Sequence, residues 1–196
     1  MNDKNRQNTT TEKQTKKQTK KVVVRSAKEC AYLATFVSLL IAAQLVFSFV
    51  PGVEIVTVLF VSYSFVMGAR RGMIVATAFS LLRQLVFGFF PTVLILYLIY
   101  FNLLALCFGL IGLKLRVNMK TLPYLTAIAC VCTVCFTLID NVLTPIWYGY
   151  SAKATRAYFL ASLPFMLPQV ICTAVSVAFL LLPLTKVFSL ARKQLF

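Results

Sequence analysis

The sequence contains no histidine, a single tryptophan and only five acidic residues among 196. Without histidine, it offers no metal-ligand cluster, and it has no closely spaced pair of carboxylates that would suit acid–base catalysis. We therefore expect no enzymatic activity, no bound metal and no cofactor. The phosphate-binding pattern G-x-x-x-x-G-K-[ST] is also missing, so the chain cannot hydrolyse ATP by itself.

The six cysteines do not indicate a metal site or a disulfide framework. Three of them form the stretch CVCTVC at 130–135, which lies inside an apolar segment and has no second cysteine pair nearby. Such thiols are usually small core residues of a membrane helix. None of the six falls in a loop that the topology below places outside the cell, which argues against disulfides.

What the chain has in abundance is apolar sequence. Hydrophobic residues make up 60% of it and its mean hydropathy is +0.84, whereas soluble domains average about 45–50% apolar residues. Runs long enough to cross a bilayer predict an all-α integral membrane protein, a bundle of six transmembrane helices within one membrane domain at 29–196. The six predicted segments are 31–50, 54–69, 72–90, 92–113, 121–143 and 158–185. The predicted breaks are Pro51-Gly52, 70–72, 88–91, 114–120 and a polar loop at 144–157.

Basic residues set the expected orientation. Nine of the 20 Lys and Arg lie in residues 1–28, a polar stretch that we expect to be a disordered basic cytoplasmic tail. It would contact anionic lipid headgroups; a nucleic-acid-binding arm is the alternative, which we do not favour. The turns at 70–71 and 114–120 and the C-terminus add basic residues on the same side. The positive-inside rule then places both termini in the cytoplasm.

Polar residues inside the apolar segments are the candidates for function. Ser80, Arg83, Gln84 and Phe87 share one helical face, and a second polar stripe runs from Thr133 to Thr144. Such stripes are expected to face the bundle interior or a wet cavity rather than lipid. The predicted substrate-binding residues are Arg83, Gln84, Asp140, Asn141, Trp147, Tyr97, Asn102, Gln169 and Glu54.

Arg83 permits two interpretations. A charge near the middle of a membrane costs about 2.5–3.5 kcal/mol on insertion scales, so it needs a partner. It either pairs with Asp140 or Glu54 and fixes the third helix, or it meets an anionic or carbonyl-bearing ligand. The surrounding amides and aromatic rings favour a flat, hydrogen-bonding, partly anionic molecule. Tyr148, Tyr150 and Tyr158 are typical of an interfacial aromatic belt.

The first predicted helix carries small residues at four-residue steps. Ala27 and Ala31 belong to one row, and Ala34 and Ser38 belong to another. Rows of this kind let helix backbones approach closely. They serve either packing within the bundle or docking against a separate membrane protein.

These features resemble the substrate-binding S components of energy-coupling factor (ECF) transporters. The stretch FVPGVEIVTVLFVSYSFVMGARRG resembles the first loop and second helix of that family, and LLRQLVFGFFP and LPQVICTAV resemble its third and sixth helices. The resemblance covers roughly residues 28–190. The family's Ala-xxx-Ala row corresponds here to Ala27 and Ala31, with Ala34 and Ser38 one helical step away, although Thr35 and Ser38 depart from alanine.

The resemblance implies a mechanism of vitamin uptake. The S component would capture a vitamin or similar micronutrient at the outer face of a bacterial cell membrane. It would then dock on a transmembrane T component driven by two cytoplasmic ATPases, and release its substrate inward. The alternative is a self-contained ion- or proton-coupled carrier that uses Asp140 and Arg83, although the chain shows no internal repeat of the kind on which many carriers are built.

Overall fold

The computed structural model describes residues 27–49 and 55–195, and within these ranges the chain forms six α-helices and no strand. Residues 1–26 of the predicted tail lie outside the described ranges, and so does Glu54. The first described helix begins at Ala27, slightly before the predicted domain boundary. The helices are α1 (Ala27–Phe47), α2 (Ile55–Met67), α3 (Ala69–Phe87), α4 (Pro91–Lys114), α5 (Leu122–Tyr148) and α6 (Ala152–Leu195).

Four of the six helices, α1, α4, α5 and α6, are long and apolar enough to cross a membrane. The other two fall short in different ways, because α2 has only 13 residues and α3 carries three arginines. Large apolar side chains such as Leu85, Leu113 and Phe179 are exposed, as expected for a surface that contacts lipid. These features are those of a helical membrane protein, and they confirm the all-helical prediction.

The short helix α2 forms the centre of the bundle. Nearly all of its side chains are buried, and it packs against both α4 and α6. Phe60 on α2 lies 4.5 Å from Phe101 on α4 and 5.4 Å from Phe79 on α3, measured between ring centroids. Stacked and edge-on rings at these distances add to the stabilisation from burial alone.

Two helix boundaries differ from those predicted. The break before α3 falls at Gly68, whose φ of +90° suits glycine, so the arginines at 70–71 lie in the first turn of α3 rather than in a loop. The polar loop predicted at 144–157 is also wrong, because only residues 149–151 lie outside the helices. Pro145 is accommodated inside α5, and Gly149 ends that helix in the left-handed conformation at φ +63°.

Polar contacts join the ends of the helices at one side of the bundle. The carboxylate of Glu29 on α1, which is only 2% exposed, forms an ion pair with the Arg71 Nε at 2.6 Å. Arg192, near the end of α6, donates to the carbonyl oxygen of Val66 at the end of α2. These contacts fix α1 to α3 and α6 to α2.

Candidate functional site

A half-open cavity of about 330 Å³ lies between α5 and α6, and two of the predicted binding residues, Asp140 and Gln169, line it. Pockets that bind small molecules span about 300–1,000 Å³, so this one is near the lower end of that range. Its wall combines aromatic rings with a carboxylate, hydroxyl groups and an amide. The lining residues are Phe136, Thr137, Asp140, Tyr158, Ala161, Ser162, Phe165, Met166 and Gln169.

Asp140 is the charged group of this wall. One of its carboxylate oxygens accepts a hydrogen bond from the Thr144 hydroxyl at 2.8 Å, and the other accepts one from the Tyr158 hydroxyl, also at 2.8 Å. Thr144 lies one turn along α5, whereas Tyr158 reaches across from α6. The carboxylate is thereby held in one orientation by two neutral donors.

Two further polar contacts join α5 to α6 beside the cavity. The Asn141 side-chain amide donates to the Ser162 hydroxyl at 2.7 Å, and the Thr137 hydroxyl donates to the Gln169 side-chain oxygen at 3.4 Å. Asn141 is 5% exposed, and its Oδ1 has no hydrogen-bond partner among the described residues. A buried acceptor left without a donor is uncommon and costly, but Asn141 is not among the described residues that line the cavity.

Arg83 occupies a separate polar cluster between α1, α3 and α4. Its Nε donates to the Gln44 side-chain oxygen at 3.1 Å, and Gln44 in turn donates to the Tyr97 hydroxyl at 3.0 Å. The guanidinium carbon lies 4.7 Å from the centre of the Phe87 ring and 4.6 Å from that of Tyr97, within cation–π distance of both. Its Nη1 is buried without a partner among the described residues.

The structure therefore gives Arg83 an amide and two aromatic rings as neighbours. No ion pair joins it to Asp140 within the described ranges, and Glu54 lies outside them. The role of Arg83 in ligand binding stays a prediction. Two other amides predicted to bind substrate make separate contacts: Gln84 accepts a hydrogen bond from the backbone N–H of Phe90, and Asn102 contacts Thr77 and the Leu98 carbonyl oxygen.

The aromatic ring of Phe136 connects the Arg83 cluster to the cavity. It lines the cavity, and its centroid lies 6.0 Å from that of Tyr97 and 4.7 Å from that of Tyr100. One ring thus borders both the cavity that Asp140 and Gln169 line and the Tyr97 ring of the Arg83 cluster. Trp147 is not among the lining residues and is half exposed near the end of α5.

Sequence reasoning missed part of this site. The position of Tyr158 is typical of an interfacial aromatic belt, yet its hydroxyl donates a hydrogen bond to Asp140. A loop predicted at 144–157 does not specify which residues at the start of the sixth segment face the fifth, whereas the short connection at 149–151 brings Tyr158 alongside Asp140. Phe136, Phe165 and Met166 carried no signal either, since apolar residues in membrane helices mostly face lipid or core.

The small residues of α1 form a separate exposed surface. Ala27, Ala31, Ala34 and Ser38 are all exposed, whereas the apolar positions between them, such as Leu33 and Val37, are buried. The rest of the described bundle therefore leaves this row uncovered.

No protein-family model matches the chain, and neither a curated protein nor a solved structure matches it significantly.

Proposed function

We propose that this chain captures a small-molecule micronutrient in the α5–α6 cavity as the S component of an ECF-type importer. Six membrane-spanning segments with both termini in the cytoplasm of a bacterial cell would place the cavity towards the outer face. The observation that carries the proposal is the cavity itself, where a carboxylate, an amide and aromatic rings converge. A ligand held there would lie against the Asp140 carboxylate of α5 and the Gln169 amide of α6.

The polar groups around this region support a binding role over a purely structural one. Ionisable side chains within membrane segments are costly, and they are functional more often than not. Asp140 is oriented by Thr144 and Tyr158, and no lysine or arginine in the described part of the chain forms an ion pair with it. Pre-organisation of this kind lowers the cost of ordering a site when a ligand arrives.

Ligand capture is tested by native mass spectrometry of the protein purified from its own host. We expect a bound small molecule in the wild-type protein and a loss of at least about tenfold in its occupancy in Ala161→Phe, because a phenyl ring at this lining position occupies the cavity. Ala157→Phe is the matched control. It adds the same ring to an exposed alanine one turn earlier on α6 that does not line the cavity. Equal ligand occupancy in Ala161→Phe and Ala157→Phe would show that the ligand binds outside the α5–α6 cavity.

Partner docking is tested on the exposed row of α1. Ala31→Phe is expected to lower recovery of the T component and its two ATPases in a pull-down by at least about tenfold, because a bulky ring prevents close approach of helix backbones. Ala127→Phe, which alters an exposed alanine on α5, serves as the control. Ligand occupancy should be unchanged in both. Unaltered recovery with Ala31→Phe would remove α1 from the docking surface.

Uptake driven by a proton gradient, with this chain as the sole protein in a vesicle, would replace the proposal with a self-contained carrier.

A further inference from the structure

The wall of the α5–α6 cavity is negatively charged. Its described lining residues include Asp140 and neither lysine nor arginine. Among the described residues the single ion pair is that of Glu29 and Arg71, so Asp140 has no cation beside it. A carboxylate in a membrane helix is stabilised when an opposite charge comes within contact distance.

Asp140 also retains hydrogen-bonding capacity. An ionised carboxylate offers about four acceptor positions, and among the described residues only Thr144 and Tyr158 donate to them. Both donors are neutral hydroxyl groups, which leave the negative charge in place. N–H donors on a cation would form the stronger, charge-assisted hydrogen bonds to the same oxygens.

The remaining wall suits the body of an organic cation. Phe136, Tyr158 and Phe165 supply aromatic rings, and Met166 supplies a polarisable thioether. Aromatic faces attract cations, and the sulfur of methionine packs well against rings. A volume of about 330 Å³ suits a compact molecule of one or two rings rather than a large one.

We infer that the cavity binds a small organic cation that carries N–H donors, with its charged head on Asp140 and its apolar body against Phe136 and Phe165. The inference deepens the proposed function, on which it rests, by naming the ligand class of the same cavity. It replaces the partly anionic ligand expected from the sequence, because the Arg83 guanidinium lies in the neighbouring cluster and does not line this cavity.

The test compares three probes that share a phenyl ring and a short chain: phenethylamine, phenethyl alcohol and hydrocinnamate. Binding to the purified full chain is measured by ligand-observed NMR titration at millimolar concentrations. We expect protonated phenethylamine to bind at least about tenfold more tightly than the neutral alcohol or the carboxylate. Equal or tighter binding of either of those two probes, or no binding of the amine, would overturn the inference.

Two variants assign the preference to Asp140. Asp140→Asn keeps the shape of the side chain and an acceptor for Thr144 but removes the charge, so the preference for the amine should disappear. Ala157→Phe leaves Asp140 and every described lining residue unchanged, so the preference should remain. Survival of the preference in Asp140→Asn would contradict the inference. The ranking in the wild-type protein decides the matter even if that variant does not fold.

Failure of this inference and failure of the proposed function are distinguishable. Recovery of a T component and two ATPases, together with a preference for hydrocinnamate, would sustain the transport proposal and reject the cationic ligand. A preference for phenethylamine without any such partners would sustain the cationic site and reject the ECF assignment.

Discussion

Gly112→Ala is expected to destabilise the protein by about 3 kcal/mol or more, at or beyond the upper end of overpacking effects. A methyl group at Gly112 on α4 would overlap the backbone carbonyl of Phe65 on α2, which cannot turn aside as a flexible side chain does. The helices would have to separate along a contact that holds the central helix in place. The measurement is the apparent melting temperature in detergent, which should fall by on the order of 10 °C.

Gly149→Ala provides the control for adding a methyl group. Nothing lies within 4 Å of the added carbon at this position, so any loss reflects only the left-handed backbone at φ +63°. That conformation costs a non-glycine residue about 1–2 kcal/mol. A Gly112→Ala variant no less stable than Gly149→Ala would show that α4 and α2 are not held in close contact at this point.

The close contact of Gly112 with α2 belongs to the packing between helices, which the pattern of apolar residues does not reveal. Long apolar runs predicted the helical class and most of the helix positions, because the length and composition of such segments reflect the thickness of the bilayer. They did not reveal that α2, the shortest of the described helices, is also the most enclosed of them. Its burial arises from contacts with α4 and α6 that are distant in the sequence, and glycines such as Gly112 permit the close approach.

The candidate site was also predicted only in part, because the sequence shows which residues share a helical face but not which helices meet. The spacing of Thr137, Asp140 and Asn141 placed them near one face of the fifth helix, and the structure brings all three against α6. For Arg83, helical spacing within α3 does not specify which neighbouring helix its side chain meets. Its contacts with Gln44 and Tyr97 depend on how α1 and α4 pack against α3.

Arg71→Met is expected to have the second large effect, a loss of about 3–5 kcal/mol in stability. Glu29 is 2% exposed, and its carboxylate contacts the Arg71 Nε at 2.6 Å. Removing the guanidinium leaves a buried negative charge without that partner, which costs more than the ion pair itself contributes. Thermal unfolding in detergent, followed by circular dichroism, measures the loss.

Arg70→Met is a close control for this prediction. Arg70 precedes Arg71 in the first turn of α3 but is exposed, and both substitutions remove one positive charge from the same end of the helix. Any effect of the positive-inside rule on insertion is therefore shared, while the loss of the buried ion pair is specific to Arg71. Arg70→Met should cost less than about 1 kcal/mol.

The double variant Glu29→Leu/Arg71→Met separates the value of the pair from the cost of breaking it. It removes both charges and fills the space with apolar atoms, so much of the stability lost in Arg71→Met should return. If the double variant is as unstable as Arg71→Met, the shape and packing of the side chains between α1 and α3 outweigh the charge of Glu29. If Arg70→Met and Arg71→Met are equally destabilised, the effect comes from membrane insertion, and the contact between α1 and α3 contributes little.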